Sequence, residues 1–108
     1  MITYGRVAVI LLFLTVQAEA QVQPSRQSEI LHLLKHDCGS CHGMTLSGGL
    51  GPALTTQALK DKPHAYLEQV ILEGRPGTPM APWRDFINAD EVRWLVNYLK
   101  TGDYRHVD

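Results

Sequence analysis

The feature that most limits this chain is a five-residue run, Cys38-Gly39-Ser40-Cys41-His42. It contains both cysteines of a 108-residue protein. Two cysteines cannot build the dense disulfide network that holds up small secreted proteins. Three positions apart, they read as one chemical site and not as a long-range staple. C-x-x-C-H is the spacing of c-type haem attachment. Both thiols can add to the two vinyl groups of one porphyrin as thioethers, and a single turn of backbone spans them. His42, the next residue, is then placed to coordinate the iron.

Other chemistries fit the motif less well. A structural zinc site wants four protein ligands, commonly a second Cys or His pair at matching spacing. His64 and His106 are too scattered to supply one. A thioredoxin-like C-x-x-C wants a βαβ context, and no strand-like alternation is visible. A plain Cys38–Cys41 disulfide leaves His42 unexplained. The rest of the composition excludes further classes. A net charge of −1 and a pI near 6.5 argue against a nucleic-acid surface, which needs a basic patch. With 44% hydrophobic and 19% charged residues, the chain is too apolar for a disordered tail.

Residues 1–20 read as a secretory signal peptide. Arg6 supplies a positive n-region, Val7 to Val16 is an almost unbroken apolar run, and Ala18-Glu19-Ala20 is an A-x-A cleavage signal. The ten-residue run is half of the roughly 20 residues that a bilayer span needs. Cleavage is therefore expected in preference to an uncleaved anchor, with no stable membrane span afterwards. It would leave an 88-residue domain, 21–108, starting at Gln21. A domain of that size buries a small share of its surface, so a cofactor in the core would help it fold.

The domain reads as all-α, three main helices joined by long loops. Ser25 is a plausible N-cap for a first helix running to about Asp37, with Ile30, Leu31, Leu33, Leu34 and Cys38 on one wide apolar face. Residues 43–52 hold four glycines and a proline and read as loop. Thr55 or Thr56 suits the cap of a short turn through Lys60. Pro63 suits the first turn of a second main helix, which carries Tyr66, Leu67, Val70 and Ile71 and stops at Gly74. Arg75 to Trp83 holds three prolines and a glycine, so it reads as a rigid irregular loop. The last helix has Asn88 as N-cap, Glu91 completing a capping box, an Ile87–Val92 staple, and Gly102 as its stop. Val92, Leu95, Val96 and Leu99 line its inner face. Loops this long in a small domain usually wrap a ligand.

C-x-x-C-H after an N-terminal helix, a Gly-Pro loop, a Pro-Met loop and the closing segment Leu95-Val96-Asn97-Tyr98-Leu99-Lys100 together resemble the class I (mitochondrial-type) monohaem cytochromes c. The resemblance covers the whole mature chain. More narrowly, DCGSCHGMTLSGGLGPAL and GRPGTPMAPW resemble the cytochrome c55X family. Those are small periplasmic cytochromes encoded beside the cytochrome cd-type nitrite reductase of denitrifying bacteria. The resemblance implies the cytochrome c fold around one haem c held through Cys38 and Cys41. It implies Met80, 38 residues beyond His42, as the second axial ligand. A soft thioether there raises the reduction potential. It also implies that the Pro52 carbonyl accepts the other N–H of the His42 ring, since metal-bound histidines are usually held in this way.

Met44 reads as packing or surface, being too close to His42 to reach across the iron, while His32, His36, His64 and His106 are alternative iron ligands that read better as polar surface histidines. Trp83 and Tyr66 are open to haem-pocket roles or to plain packing, and Trp94 reads as packing. Lys60, Lys62, Arg75 and Arg84 are open to a weakly basic docking rim or to solvated surface. The function implied is a monomeric periplasmic one-electron carrier, not an enzyme. Its redox partner would be the cytochrome cd-type nitrite reductase, through electron donation or maturation of the d-type haem, or another periplasmic electron-transfer protein. The alternative is a haem protein with an open or labile distal site, binding small ligands or doing peroxidase-like chemistry.

Overall fold

The computed structural model describes residues 21–102. The signal segment expected over 1–20, and His106, lie outside them. The described residues are helical with irregular connections and contain no strand. The first helical stretch is α1 (Pro24–Leu33), a π-helical turn (Leu34–Cys38) and α2 (Gly39–His42), in direct succession. Then come α3 (Thr56–Leu59), α4 (His64–Glu73) and α5 (Ala89–Thr101). These are the three main helices and long loops of the expected all-α class.

Two helix boundaries differ from expectation. The N-cap is Gln23, not Ser25, because Pro24 occupies the first helical position, where its missing N–H costs nothing. The helix also continues past Asp37 to His42, since nothing breaks it before Gly43, whose φ is +93°. Its last turns carry the C-x-x-C-H motif, so the two cysteines and the histidine sit on helical backbone and not in the following loop. At the second main helix, Pro63 is the cap itself and not a first-turn residue.

The other local signals hold. The Thr55 hydroxyl accepts from the Ala58 N–H and starts α3. The Asn88 side chain accepts from the Glu91 N–H at 2.9 Å, and the Glu91 carboxylate accepts from the Asn88 N–H at 3.3 Å. This is the complete capping box. Gly102 ends α5 in the left-handed region.

The core gathers Ile30 from α1, Leu34 from the π turn, Leu59 from α3, Ile87 before α5, and Val92, Leu95, Val96 and Leu99 from α5. Each such side chain contributes about 1.5–3 kcal/mol by leaving water. α5 packs chiefly along α4 and also against α3. Leu46, inside the glycine-rich loop, is also in the core at 5% exposure. Its φ of +59° is left-handed, which costs a bulky residue about 1–2 kcal/mol. Burial, together with hydrogen bonds from its N–H to Gly43 and from Leu54 to its carbonyl, both 2.9 Å, offsets that strain.

A charged clamp joins the starts of the first and last helices. The Arg26 guanidinium donates to both Glu91 carboxylate oxygens, at 3.1 and 3.0 Å, to Glu29 at 2.7 Å and to the Phe86 carbonyl at 2.6 Å. This two-pronged geometry is the strong form of the interaction. It holds the Glu91 carboxyl below the usual carboxylate range, aided by the Asn88 backbone N–H and opposed by burial.

Candidate haem-attachment site

The end of the first helical stretch sets the chemistry. Cys38 closes the π turn, and Cys41 and His42 follow on α2. Both thiols are free, so no disulfide joins them. Cys38 is half-buried against the core and Cys41 is exposed. Burial, with the Asp37 charge beside it, pushes the Cys38 thiol up to about 11. Two free thiols one helical turn apart, one facing the core and one facing solvent, can be bridged by a single flat group lying against the helix.

His42 is held by a partner that fixes its chemistry. Its Nδ1 lies 2.7 Å from the Pro52 carbonyl oxygen. A carbonyl can only accept, so Nδ1 carries a hydrogen, and in the neutral ring Nε2 is the nitrogen with the lone pair. The ring is thereby held through Nδ1, which leaves Nε2 as the nitrogen that could ligate. The loop 43–52 makes this possible by folding back on α2. The Gly48 N–H donates to the His42 carbonyl and the Gly51 N–H to the Cys41 carbonyl, both at 2.8 Å. Gly51 lies flat on the imidazole, and a Cβ there would stand 2.9 Å from both Cε1 and Nδ1. Only glycine lets the backbone approach that closely.

Met80 sits in the other loop, between α4 and α5, and is half-buried. Its carbonyl accepts from the Arg75 N–H at 3.0 Å. Its N–H donates to the Thr78 hydroxyl at 3.3 Å, and that hydroxyl donates to the Arg75 carbonyl at 2.7 Å. Gly74 (φ +69°) starts the reversal, and a Cβ there would meet the Met80 carbonyl at 2.6 Å. The Trp83 N–H donates to the Ile71 carbonyl at 3.0 Å and pins the loop to α4.

These residues fit a haem better than a bare ion. Among the described residues, no cluster of three or more His, Cys, Asp or Glu side chains could cage a metal alone. An iron here would need ligands from a macrocycle, with the protein donors few; the sequence expectation for them is His42 and Met80. The remaining expected residues fall as follows. Met44 is 62% exposed at the surface. His64 is exposed on α4, and His32 and His36 are exposed on the first helical stretch. Trp94 is half-buried and stacks on Tyr98 at 5.5 Å, which is packing. Trp83 packs against the core beside Phe86, while Tyr66 is exposed on α4. Of the four basic residues, Arg84 pairs with Glu73, and the Lys62 carbonyl accepts from Lys100. Sequence reading missed the Arg26 clamp, buried Leu46 and the Thr78 brace. Only Thr78, a hydroxyl two residues before Met80, left a local signal.

Residues 26–99, from the first turn of α1 to the end of α5, match the protein family described as cytochrome C oxidase, cbb3-type, subunit III. Cytochrome c55X of Pseudomonas aeruginosa is 49% identical over 86 residues, 80% of this chain and 72% of that one. Cytochrome c55X of Paracoccus denitrificans is 43% identical over 96 residues, 88% of this chain and 93% of that one. The chain belongs to the cytochrome c55X family. A solved c-type cytochrome, NirC, superposes with a TM-score of 0.76 at 51% identity, covering 77% of this chain and 98% of its own. This cytochrome is thus a monohaem c-type cytochrome of the nitrite-reductase, denitrification context, and its cofactor is a covalently bound haem c. Among the described residues, no helix is long and apolar enough to cross a membrane.

Proposed function

We propose that this cytochrome is a one-electron carrier and not an enzyme, with Cys38 and Cys41 as the thioether anchors and His42 and Met80 as the axial ligands. When bound, the haem supplies an Fe(III)/Fe(II) couple. The observation that carries this reading is the 2.7 Å contact between His42 Nδ1 and the Pro52 carbonyl. It fixes the tautomer, so Nε2 is ready to ligate before any metal arrives. The bonds around Met80 hold the second donor's backbone in place. They favour a filled distal position over an open, ligand-binding one. A thioether opposite an imidazole favours the reduced iron.

We further propose that residues 1–20 direct export, that residues 21–108 form the cytochrome domain, and that the protein works as a monomer in the periplasm. Its redox partner is the cytochrome cd-type nitrite reductase, met through a small transient interface. Kinship to cytochrome c55X supports that partner, and electron donation and d-type haem maturation both fit it. Stopped-flow mixing of the reduced protein with purified cytochrome cd-type nitrite reductase should show fast oxidation of the cytochrome. Absence of transfer would reject donation.

The ligand set is tested on oxidised protein. A weak near-infrared Met–iron charge-transfer band and slow cyanide binding are expected. No band together with fast cyanide or CO binding would overturn the carrier reading. The anchors are tested by a pyridine haemochrome assay, in which Cys38→Ser and Cys41→Ser should each lower covalent haem.

A further inference from the structure

Away from the haem site, and among the described residues, His32 and His36 bring two metal-ligating side chains together. His32 lies in the last turn of α1 and His36 in the π turn. Their ring centroids are 4.2 Å apart, with the planes tilted by 44°. Both residues are exposed, while Ile30 and Leu34 on the same stretch face the core. Side chains four apart on a helix are neighbours. A π turn closes its hydrogen bond at i+5 and so holds more residues per turn than an α-helix. This brings the side chain at i+4 towards eclipsing the one at i, which explains why the two rings touch.

Apart from this mutual contact, neither ring takes part in a hydrogen bond or ion pair among the described residues. Both residues are open to solvent, so a metal ion could reach the pair. The nearby charges balance. Glu29, one turn before His32, is held by Arg26, and Lys35 and Asp37 flank His36. A dication would therefore meet no net repulsion.

We propose that His32 and His36 form a two-nitrogen chelate for a borderline divalent transition-metal ion, such as copper(II) or zinc(II), on the solvent face of the N-terminal helical stretch. Imidazole is the common protein ligand for such ions, and two histidines at i and i+4 on one helix face are a known way to hold one. Water fills the remaining positions. Hard cations that want oxygen ligands are excluded, and copper(II) binds more tightly than zinc(II). The chelate spans the start of the π turn, two residues before Cys38. It binds the folded helix better than the unfolded chain and so stabilises the fold.

The test uses haem-loaded protein, with zinc(II) titrated calorimetrically and copper(II) read by electron paramagnetic resonance. One zinc(II) per chain should bind, and zinc(II) should raise the thermal midpoint. The copper(II) signal should show coupling to two nitrogens. His32→Gln and His36→Gln should each weaken zinc(II) binding by more than the roughly 10-fold that loss of an outer partner costs a metal site, and each should abolish the thermal shift. His64→Gln should leave both unchanged. The proposal is overturned if wild-type protein shows no saturable binding below roughly 1 mM, if either variant binds as wild type does, or if His64→Gln weakens binding equally.

Discussion

The two loops that flank the proposed axial donors, one braced against His42 and one carrying Met80, are built by different means. Loop 43–52 is bonded to the helix carrying its ligand, and one of its bonds reaches the ligand ring itself, from His42 Nδ1 to Pro52. Loop 75–83 is bonded mainly to itself, through Arg75, Thr78 and Met80, with a single tie to α4. Those bonds reach the Met80 backbone and stop there, because a thioether sulfur offers no N–H or O–H to hold. The histidine is thus fixed as a ring in one tautomer. The methionine is fixed as a point on the chain, with its side chain left to packing. With the proposed ligands, the His42 side would be the more firmly held half of the site and the Met80 side the more readily exchanged one.

Substitutions can break that contrast or sharpen it. The largest effect is expected from Met80→Ala. It should keep haem attached while lowering the reduction potential by on the order of 0.1 V, within the range of about 0.8 V that axial ligands span. It should also open the iron to cyanide. Redox titration with no change would reject Met80 as the ligand. Next, Gly51→Ala drives a methyl into the His42 ring and should cost about 1–3 kcal/mol by overpacking, read by denaturant unfolding of the haem-loaded protein. If stability and potential stay unchanged, the close approach of Gly51 has no role.

A change in the helical frame serves as the counterpart. Glu91→Gln removes the charge that meets Arg26 and should cost about 1–2 kcal/mol at pH 7, while leaving the potential alone. The sign of its pH dependence follows from the lowered Glu91 pKa. The carboxylate stabilises the fold above its unfolded pKa of about 4.3, and that contribution fades as pH falls through the lower folded value. Unfolding curves of wild type and variant should therefore converge in acid. The smallest effect is expected from Thr78→Val, about 1 kcal/mol for one lost brace. It should also weaken the near-infrared Met–iron band, with Thr78→Ser restoring it. A variant band equal to wild type would show that the loop holds Met80 without its hydroxyl.

What was legible in the sequence was mostly local. The capping box at Asn88, the cap at Thr55 and the stop at Gly102 depend on residues within a few positions of each other. The C-x-x-C-H motif is likewise contiguous. The apolar pattern of the first helix fades at Asp37, so the sequence places its end there, yet no breaker stands before Gly43. The π turn has no sequence signature of its own and shifts the phase of every residue after it. Arg26 and Glu91 meet across 65 positions, so nothing near either one announces the clamp. Buried Leu46 was hidden because glycines surround it and its backbone is left-handed. The Pro52 partner was reachable only through family resemblance, since a carbonyl acceptor belongs to every residue alike.

The bond from His42 to Pro52 has a consequence for protons. Its acceptor is a peptide oxygen, which cannot take the hydrogen away as a carboxylate could. The hold on His42 therefore brings no second titrating group to the site, and the ring's orientation does not depend on the charge of its partner.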